Sequence, residues 1–197
     1  MTTAELLTLA GVITKDPSNA TYTAAVVYDM FQAAQEAIAR LLHYSYLREL
    51  KTKVARTSIA DPGTFTMNSD FLRPAYFEKT TGLVPVKFID IEEKHLLQNS
   101  INGGNDTQPV WILYDDAGTL KGQILVETYP FTGTQWYIKK PTAIGAGQDP
   151  EIIGFDNLLL LYFKHLFHLA EGQVELATLA FQSFKDEITD LNSKVRD

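Results

Sequence analysis

Residues 27–67, VYDMFQAAQEAIARLLHYSYLRELKTKVARTSIADPGTFTM, hold the change of hydrophobic period that decides the fold. In their first half Val27, Phe31, Ala34, Ile38 and Leu41 recur at alternating steps of four and three, the stripe of one helix face. Ala24, Ala25, Ala33, Ala37 and Ala39 flank the stripe, and small side chains both favour helix and let a neighbouring backbone come close. The spacing predicts a helix of about twenty residues from Thr21 or Thr23 to Tyr46 or Leu50. From Lys53 the helical spacing gives way to β-branched and aromatic residues broken by Gly, Pro, Asn and Asp, so the chain passes there into a β region.

Upstream, Thr2 and Glu5 have the spacing of a capping box, and Leu6, Leu7 and Leu9 before Gly11 predict a short helix. Asp16-Pro17-Ser18-Asn19 is then a turn. Downstream, Val54 to Ile59, Phe65 to Met67, Tyr76 to Thr80 and Val86 to Ile91 are strand candidates, with turns at Asp61-Pro62-Gly63 and at Pro74 after Asp70-Phe71-Leu72-Arg73. Glu92 to Gln98 suits a turn or two of helix, and 102–106 is a Gly- and Asn-rich loop. Val110 to Tyr114, Gln123 to Tyr129 and Gln135 to Lys139 then read as an antiparallel meander, turning at Asp115 to Gly118 and at Phe131 to Thr134.

Helix returns after Gly145 to Pro150. Phe155, Leu158, Leu159, Tyr162, Leu166 and Leu169 mark one face, yet Leu160, Leu161, Phe163 and Phe167 cover the others, and a helix apolar nearly all round wants burial on every side. Beyond Gly172, Val174, Ala177, Phe181, Phe184, Ile188 and Leu191 form a narrower seam suited to another helix, with Glu175, Gln182, Lys185, Asp186 and Asp190 facing away. The expected fold class is α+β: a helical bundle of N- and C-terminal helices with an inserted, mainly antiparallel β region. The expected segments are 1–52, 53–150 and 151–197, with both chain ends sharing one core and a short polar tail that frays.

The chain has 197 residues, 45% of them hydrophobic and 21% charged, a composition that folds rather than one that stays disordered. It has no cysteine, which excludes disulfides, zinc-thiolate sites and thiol catalysis. The densest apolar run, Leu158 to Ala170, is interrupted by Lys164, His165 and His168 and falls short of the roughly 20 residues that span a bilayer, and no secretory signal pattern opens the chain, so no membrane partner is expected. The net charge of −7 argues against a protein that holds nucleic acid by neutralising phosphates. Residues 1–60 carry a net +1 and residues 61–197 a net −8, which assigns the acidity to the second part.

The chemistry-bearing side chains do not converge. His165 and His168 with Glu171 and Glu175 have metal-ligand types, but positions i and i+6 lie about 240° apart around a helix, so a domain or subunit contact is the better reading of the histidines. Asp115-Asp116-Ala117-Gly118 lacks the alternate oxygen ligands and closing Glu of a calcium loop and reads as a hairpin turn. No nucleophile elbow, phosphate loop or dinucleotide fingerprint occurs, and Glu92-Glu93 suits a helix N-terminus. Neither a catalytic residue nor a cofactor is expected. Arg40, Arg48, Lys51, Lys53 and Arg56 form the one positive concentration, either a solvated helix end or a docking patch for an acidic partner. Trp111, Tyr114, Tyr129, Phe131, Trp136 and Tyr137 stand at strand spacing and suit cross-strand pairs.

The helical opening, the β insertion carrying Asp70-Phe71-Leu72-Arg73, the hairpin ending Trp136-Tyr137-Ile138-Lys139-Lys140-Pro141 and Gly154-Phe155-Asp156-Asn157-Leu158 entering two C-terminal helices resemble the head-to-tail adaptor, or connector, proteins of tailed bacteriophages. The gatekeeper or tail-tubular proteins of short-tailed phages belong with these. The resemblance covers nearly the whole chain in element order. It implies a virion structural protein of the neck, not an enzyme, assembled in the host cytoplasm as a ring, commonly of twelve copies. The ring sits between the portal protein and a downstream tail or nozzle protein and passes genomic DNA through its lumen without reading its sequence.

Carried onto these positions, the resemblance implies that Ser193, Lys194, Val195, Arg196 and Asp197 reach toward the portal. The hairpin tips at Asp115 and Asp116 and at Phe131 and Thr132 would face the tail component, and Phe155, Leu159, Tyr162, Leu166, Phe181 and Phe184 would pack between subunits. An acidic lumen would let DNA slide by like-charge repulsion. Two other functions fit the sequence: an intracellular module that binds a ligand or peptide on its aromatic strands, and, more remotely, a metal-dependent hydrolase around His165 and His168.

Overall fold

A computed structural model describes residues 1–91 and 104–195. The fold is α+β: among the described residues four α-helices flank two mostly antiparallel sheets of four strands each. Two compact units result, a helical one of Met1–Leu50 with Lys140–Asp197 and a β one of Lys51–Lys139. The first boundary falls within a few residues of the expected 52/53. The second lies at Lys139 rather than at 150, so residues 140–150 belong with the helices.

The helical unit contains α1 (Thr3–Thr14), α2 (Ala24–Leu41), α3 (Asp156–Ala170) and α4 (Val174–Ser193). The capping box forms as expected: the Glu5 amide donates to the Thr2 hydroxyl and the Thr2 amide to the Glu5 carboxylate, at 3.3 and 2.7 Å. Helix α1 runs past Gly11, whose missing side chain lets the turn fold back on the helix; a Cβ there would stand 3.1 Å from the Pro17 Cα.

Val27, Phe31, Ala34 and Ile38 of α2 are fully buried, as the stripe requires. The helix ends at Leu41 rather than at Tyr46 or Leu50, because Asn192 of α4 takes its C-terminal groups. The Asn192 amide donates to the Leu41 carbonyl (2.9 Å) and its oxygen accepts from the His43 amide (2.7 Å). Leu42 then turns extended and fills the buried place, leaving Leu41 48% exposed. Leu158, Leu159, Phe163 and Phe167 are the buried side of α3, and Phe31 stacks on Phe163 with ring centroids 4.5 Å apart. Ala177, Phe184 and Ile188 of α4 complete the core.

Residues 140–151 join this unit through Gln35, a polar side chain with no exposure. Its amide donates to the Thr142 carbonyl (2.8 Å) and to Gln32 (2.7 Å), and its oxygen accepts from the Glu151 amide (3.3 Å). Gln32 also accepts from the Ile144 amide at 3.1 Å, and Asp149 accepts from the Thr3 amide at 2.7 Å. A buried amide satisfied this fully holds a segment that carries little helical or strand pattern of its own.

In the β unit, β1 (Lys51–Ile59), β8 (Phe131–Lys139), β3 (Phe71–Lys79) and β4 (Val84–Pro85) form one sheet in that order. The order β2 (Thr64–Thr66), β7 (Thr119–Leu125), β6 (Val110–Asp116), β5 (Lys87–Phe88) forms the other, with β5 parallel to β6. Ile59, Met67, Phe71, Phe77, Trp111, Ile124, Phe131 and Tyr137 pack between them. Phe77 meets Trp111 and Phe131 edge-on, both at 5.7 Å.

The expected meander is corrected. Only β6 and β7 form a hairpin, through a two-residue turn with positive φ at Ala117 and Gly118; β8 lies in the other sheet, between β1 and β3. Phe131 to Thr134 is therefore strand rather than turn. Pro74 does not end a segment either: it stands inside β3, opposite Tyr137 and beside a register shift, the kind of irregularity where a strand tolerates proline. The short helix expected at 92–98 lies outside the described residues. Among the described residues no helix is long and apolar enough to cross a membrane.

Because Phe163 is fully buried and stacked on Phe31, Phe163→Ala is expected to cost about 3–5 kcal/mol, read by urea unfolding. Leu179→Ala, at a position 64% exposed, is expected to cost under about 0.5 kcal/mol in the same assay.

Candidate interaction surface

The histidines that suggested chemistry are structural. His165 donates from Nδ1 to the Ala177 carbonyl (2.9 Å), and His168 from Nδ1 to the Gln173 side-chain oxygen (2.8 Å), so both rings bridge α3 to the start of α4. His165 also stacks on Phe181, ring centroids 4.7 Å apart. Among the described residues no group of three or more His, Cys, Asp or Glu side chains converges to hold a metal ion. A groove of about 660 Å³ runs along α1, lined by Met1, Ala4, Glu5, Thr8, Leu9 and Asp156.

One member of the positive concentration is drawn inward by the fold. Arg56 turns into the β unit, where Nε and Nη2 both donate to Gln135 Oε1 (3.0 and 2.9 Å), Nη1 donates to the Thr66 carbonyl (3.1 Å) and Nη2 to Asn68 (3.3 Å). Its guanidinium lies 4.5 Å above the Phe65 ring. Asn68 in turn donates to the Tyr137 hydroxyl (3.0 Å), which donates to Asp70 (2.8 Å). Burial draws Arg56 below and, together with Asp70, pushes Tyr137 above their ordinary pKa values. Arg56 is thus a polar tie between β1, β8 and β2, whereas Arg40, Arg48, Lys51 and Lys53 remain exposed.

The residues expected between subunits divide. Leu159 and Phe184 have no exposed surface and are spent on the chain's own core, which corrects their assignment. Phe155, Tyr162, Leu166 and Phe181 are partly buried; Tyr162 sits against Phe184 (5.0 Å) and Phe155 against Tyr46 (5.8 Å). Among the exposed apolar residues, which also include Val12, Leu83 and Ile153, four fall around the α3–α4 turn: Leu169, Val174, Leu176 and Leu179 are 46, 63, 47 and 64% exposed. Leu176 and Leu179 were legible as apolar positions three apart lying off the α4 seam.

The tips expected to face a tail component are one tip. Asp115 and Asp116 do form the β6–β7 turn, Asp115 accepting from the Gly118 amide at 2.9 Å and Asp116 pairing with Lys121. Phe131 is 1% exposed inside the β core, and Thr132 lies in strand β8, so neither stands at a hairpin end. At the C-terminus, Ser193 is the last residue of α4 and donates to the Asp190 carbonyl (2.7 Å), Lys194 pairs with Asp190 (2.5 Å), and the Val195 amide closes on Asn192 (3.3 Å). Those contacts close the last turn of α4; Arg196 and Asp197 lie outside the described residues.

The acidity also regroups. The helical unit holds 14 acidic against 8 basic residues, a net of −6, while Lys51–Lys139 holds 10 against 9, a net of −1. At the α3–α4 corner Glu171 accepts from the Tyr22 hydroxyl and pushes Tyr22 up to about 12. No protein-family profile and no curated protein matches this chain.

Two outcomes follow from these contacts. A lysine at 56 lacks the planar fork that reaches Gln135, Thr66 and Asn68 together, so Arg56→Lys is expected to lose about 1–3 kcal/mol in chemical unfolding. The raised Tyr22 value means that its bond to Glu171 stabilises fully below the ordinary tyrosine value of 10.0 and is lost as pH rises toward about 12. The stability gap between wild type and Tyr22→Phe should therefore stay constant up to about pH 10 and close between there and about pH 12, measured by unfolding across alkaline pH.

Proposed function

We propose that this chain is a subunit of the head-to-tail adaptor ring of a tailed bacteriophage, joining the portal protein to a downstream tail or nozzle protein and forming part of the DNA channel of the virion neck. The observation that carries the reading is the α3–α4 corner: a helical unit packed from both chain ends still leaves Leu169, Val174, Leu176 and Leu179 in solvent. Four exposed apolar side chains within the eleven residues around the α3–α4 turn suit contact with another protein.

Three further features support it. The element order of N-terminal helices, β insertion and two C-terminal helices is the one the adaptor resemblance implies. The helical unit carries −6 of the −7 net charge, and a ring of such units would present a surface that repels the DNA backbone and lets it slide. The polar network around Arg56 ties strands together and offers no reacting group, which suits a scaffold.

The test is the solution mass of the purified protein, alone and mixed with the portal ring of its own phage, by light scattering after size exclusion. Co-migration with the portal ring is expected, and it should be lost in Leu176→Glu/Leu179→Glu. A protein that never joins the portal peak, at any mixing ratio, overturns the reading.

A further inference from the structure

We infer that the chain assembles head to tail with its own copies by seating the exposed start of α4 from one copy on the outer face of the β1–β8–β3 sheet of the next. The inference rests on the adaptor reading for the premise of self-assembly, and it adds which two surfaces meet.

The sheet face follows from register. Lys53 stands opposite Trp136, and Trp136 opposite Tyr76, so the three side chains cross β1, β8 and β3 on one face. Lys51 lies one step along, opposite Ile138, itself opposite Arg73; Ile138 is fully buried, so the open part of the face is the Lys53–Trp136–Tyr76 row with the exposed Lys51 at its edge. The Tyr76 and Trp136 rings lie 5.4 Å apart, and Tyr76 is 40% exposed on the face away from the aromatic core. Lys51 and Lys53 are exposed beside them. Glu78, opposite Thr134 two rows from Lys51, is the one acid on these rows.

The α4 surface is of the opposite kind. Glu175, Leu179, Gln182 and Asp186 recur at steps of four, three and four along one exposed stripe, and Val174 and Leu176 widen its first turn. Lys185, beside this stripe, lies over the Phe181 ring at 4.5 Å. One surface is thus apolar with acids and the other aromatic with lysines.

Neither surface suits itself, since two copies of the α4 stripe would oppose Glu175 and Asp186 to like charges. A contact between unlike patches is heterologous, and repeating it gives a closed ring or an open filament rather than a two-fold dimer. A second copy of this chain meets both halves of the chemistry at once, because each copy carries one surface to offer and one to receive.

The experiment uses the full chain. As it has no cysteine, Lys53→Cys/Glu175→Cys introduces the only two thiols, one on each surface. Mild oxidation is expected to give a ladder of disulfide-linked multimers on a non-reducing gel; a monomer band only, whether from no bond or from a bond within one chain, overturns the inference. Glu175→Lys/Asp186→Lys and Lys51→Glu/Lys53→Glu are each expected to weaken self-association by at least about tenfold in sedimentation, and all four together to restore it. Thermal unfolding of each variant serves as the folding control. Assembly indifferent to either reversal, no restoration in the fourfold variant, or a wild type that stays monomeric at every concentration overturns it. A ring that forms and binds the portal while ignoring the reversals removes this interface and leaves the adaptor reading; charge-dependent multimers that ignore the portal do the opposite.

Discussion

Everything in this fold depends on the antiparallel pairing of β1 with β8. Lys51 stands opposite Ile138, so the strand that enters the β unit and the strand that leaves it end side by side. An insertion of 89 residues, Lys51–Lys139, can then interrupt a helical unit without separating its halves. The pairing is fixed by burial, because Tyr137 and Phe131 of β8 point into the aromatic core, and a slip of one residue would turn both outward.

Two amides do for the helical unit what that pairing does for the insertion. Gln35 binds the returning segment to α2, and Asn192 caps α2 from the far end of the chain. Both bonds couple the N-terminal half to the C-terminal half, separated by more than a hundred residues. Hydrophobic contact alone, such as Phe31 on Phe163, brings the halves together but leaves the ends of the helices unspecified. The amides set where α2 stops.

The functional reading grows from what this packing leaves over. Leu159 and Phe184 are consumed by the chain's own core, while Val174, Leu176 and Leu179 at the start of α4 stay exposed. The fold likewise sorts charge that looks unevenly spread along the chain into an acidic helical unit and a β unit near neutrality with lysines on one sheet face. Surfaces that differ in both respects on one chain are the raw material of a heterologous assembly.

The sequence by itself determined the element types, the α2 stripe, the capping box, the β6–β7 turn and the α+β class with shared chain ends, because each rests on local period or turn chemistry. Only the tertiary structure decided that β8 would leave the meander for the other sheet, that Pro74 would sit within a strand, and that residues 140–150 would belong to the helices. It alone turned Arg56 from a member of a basic run into a tie between strands, and Phe131 from a hairpin tip into core. The reason is physical: period and turn propensity act over a few residues, whereas sheet partner, buried amide and exposed surplus are settled by which distant segments share one core.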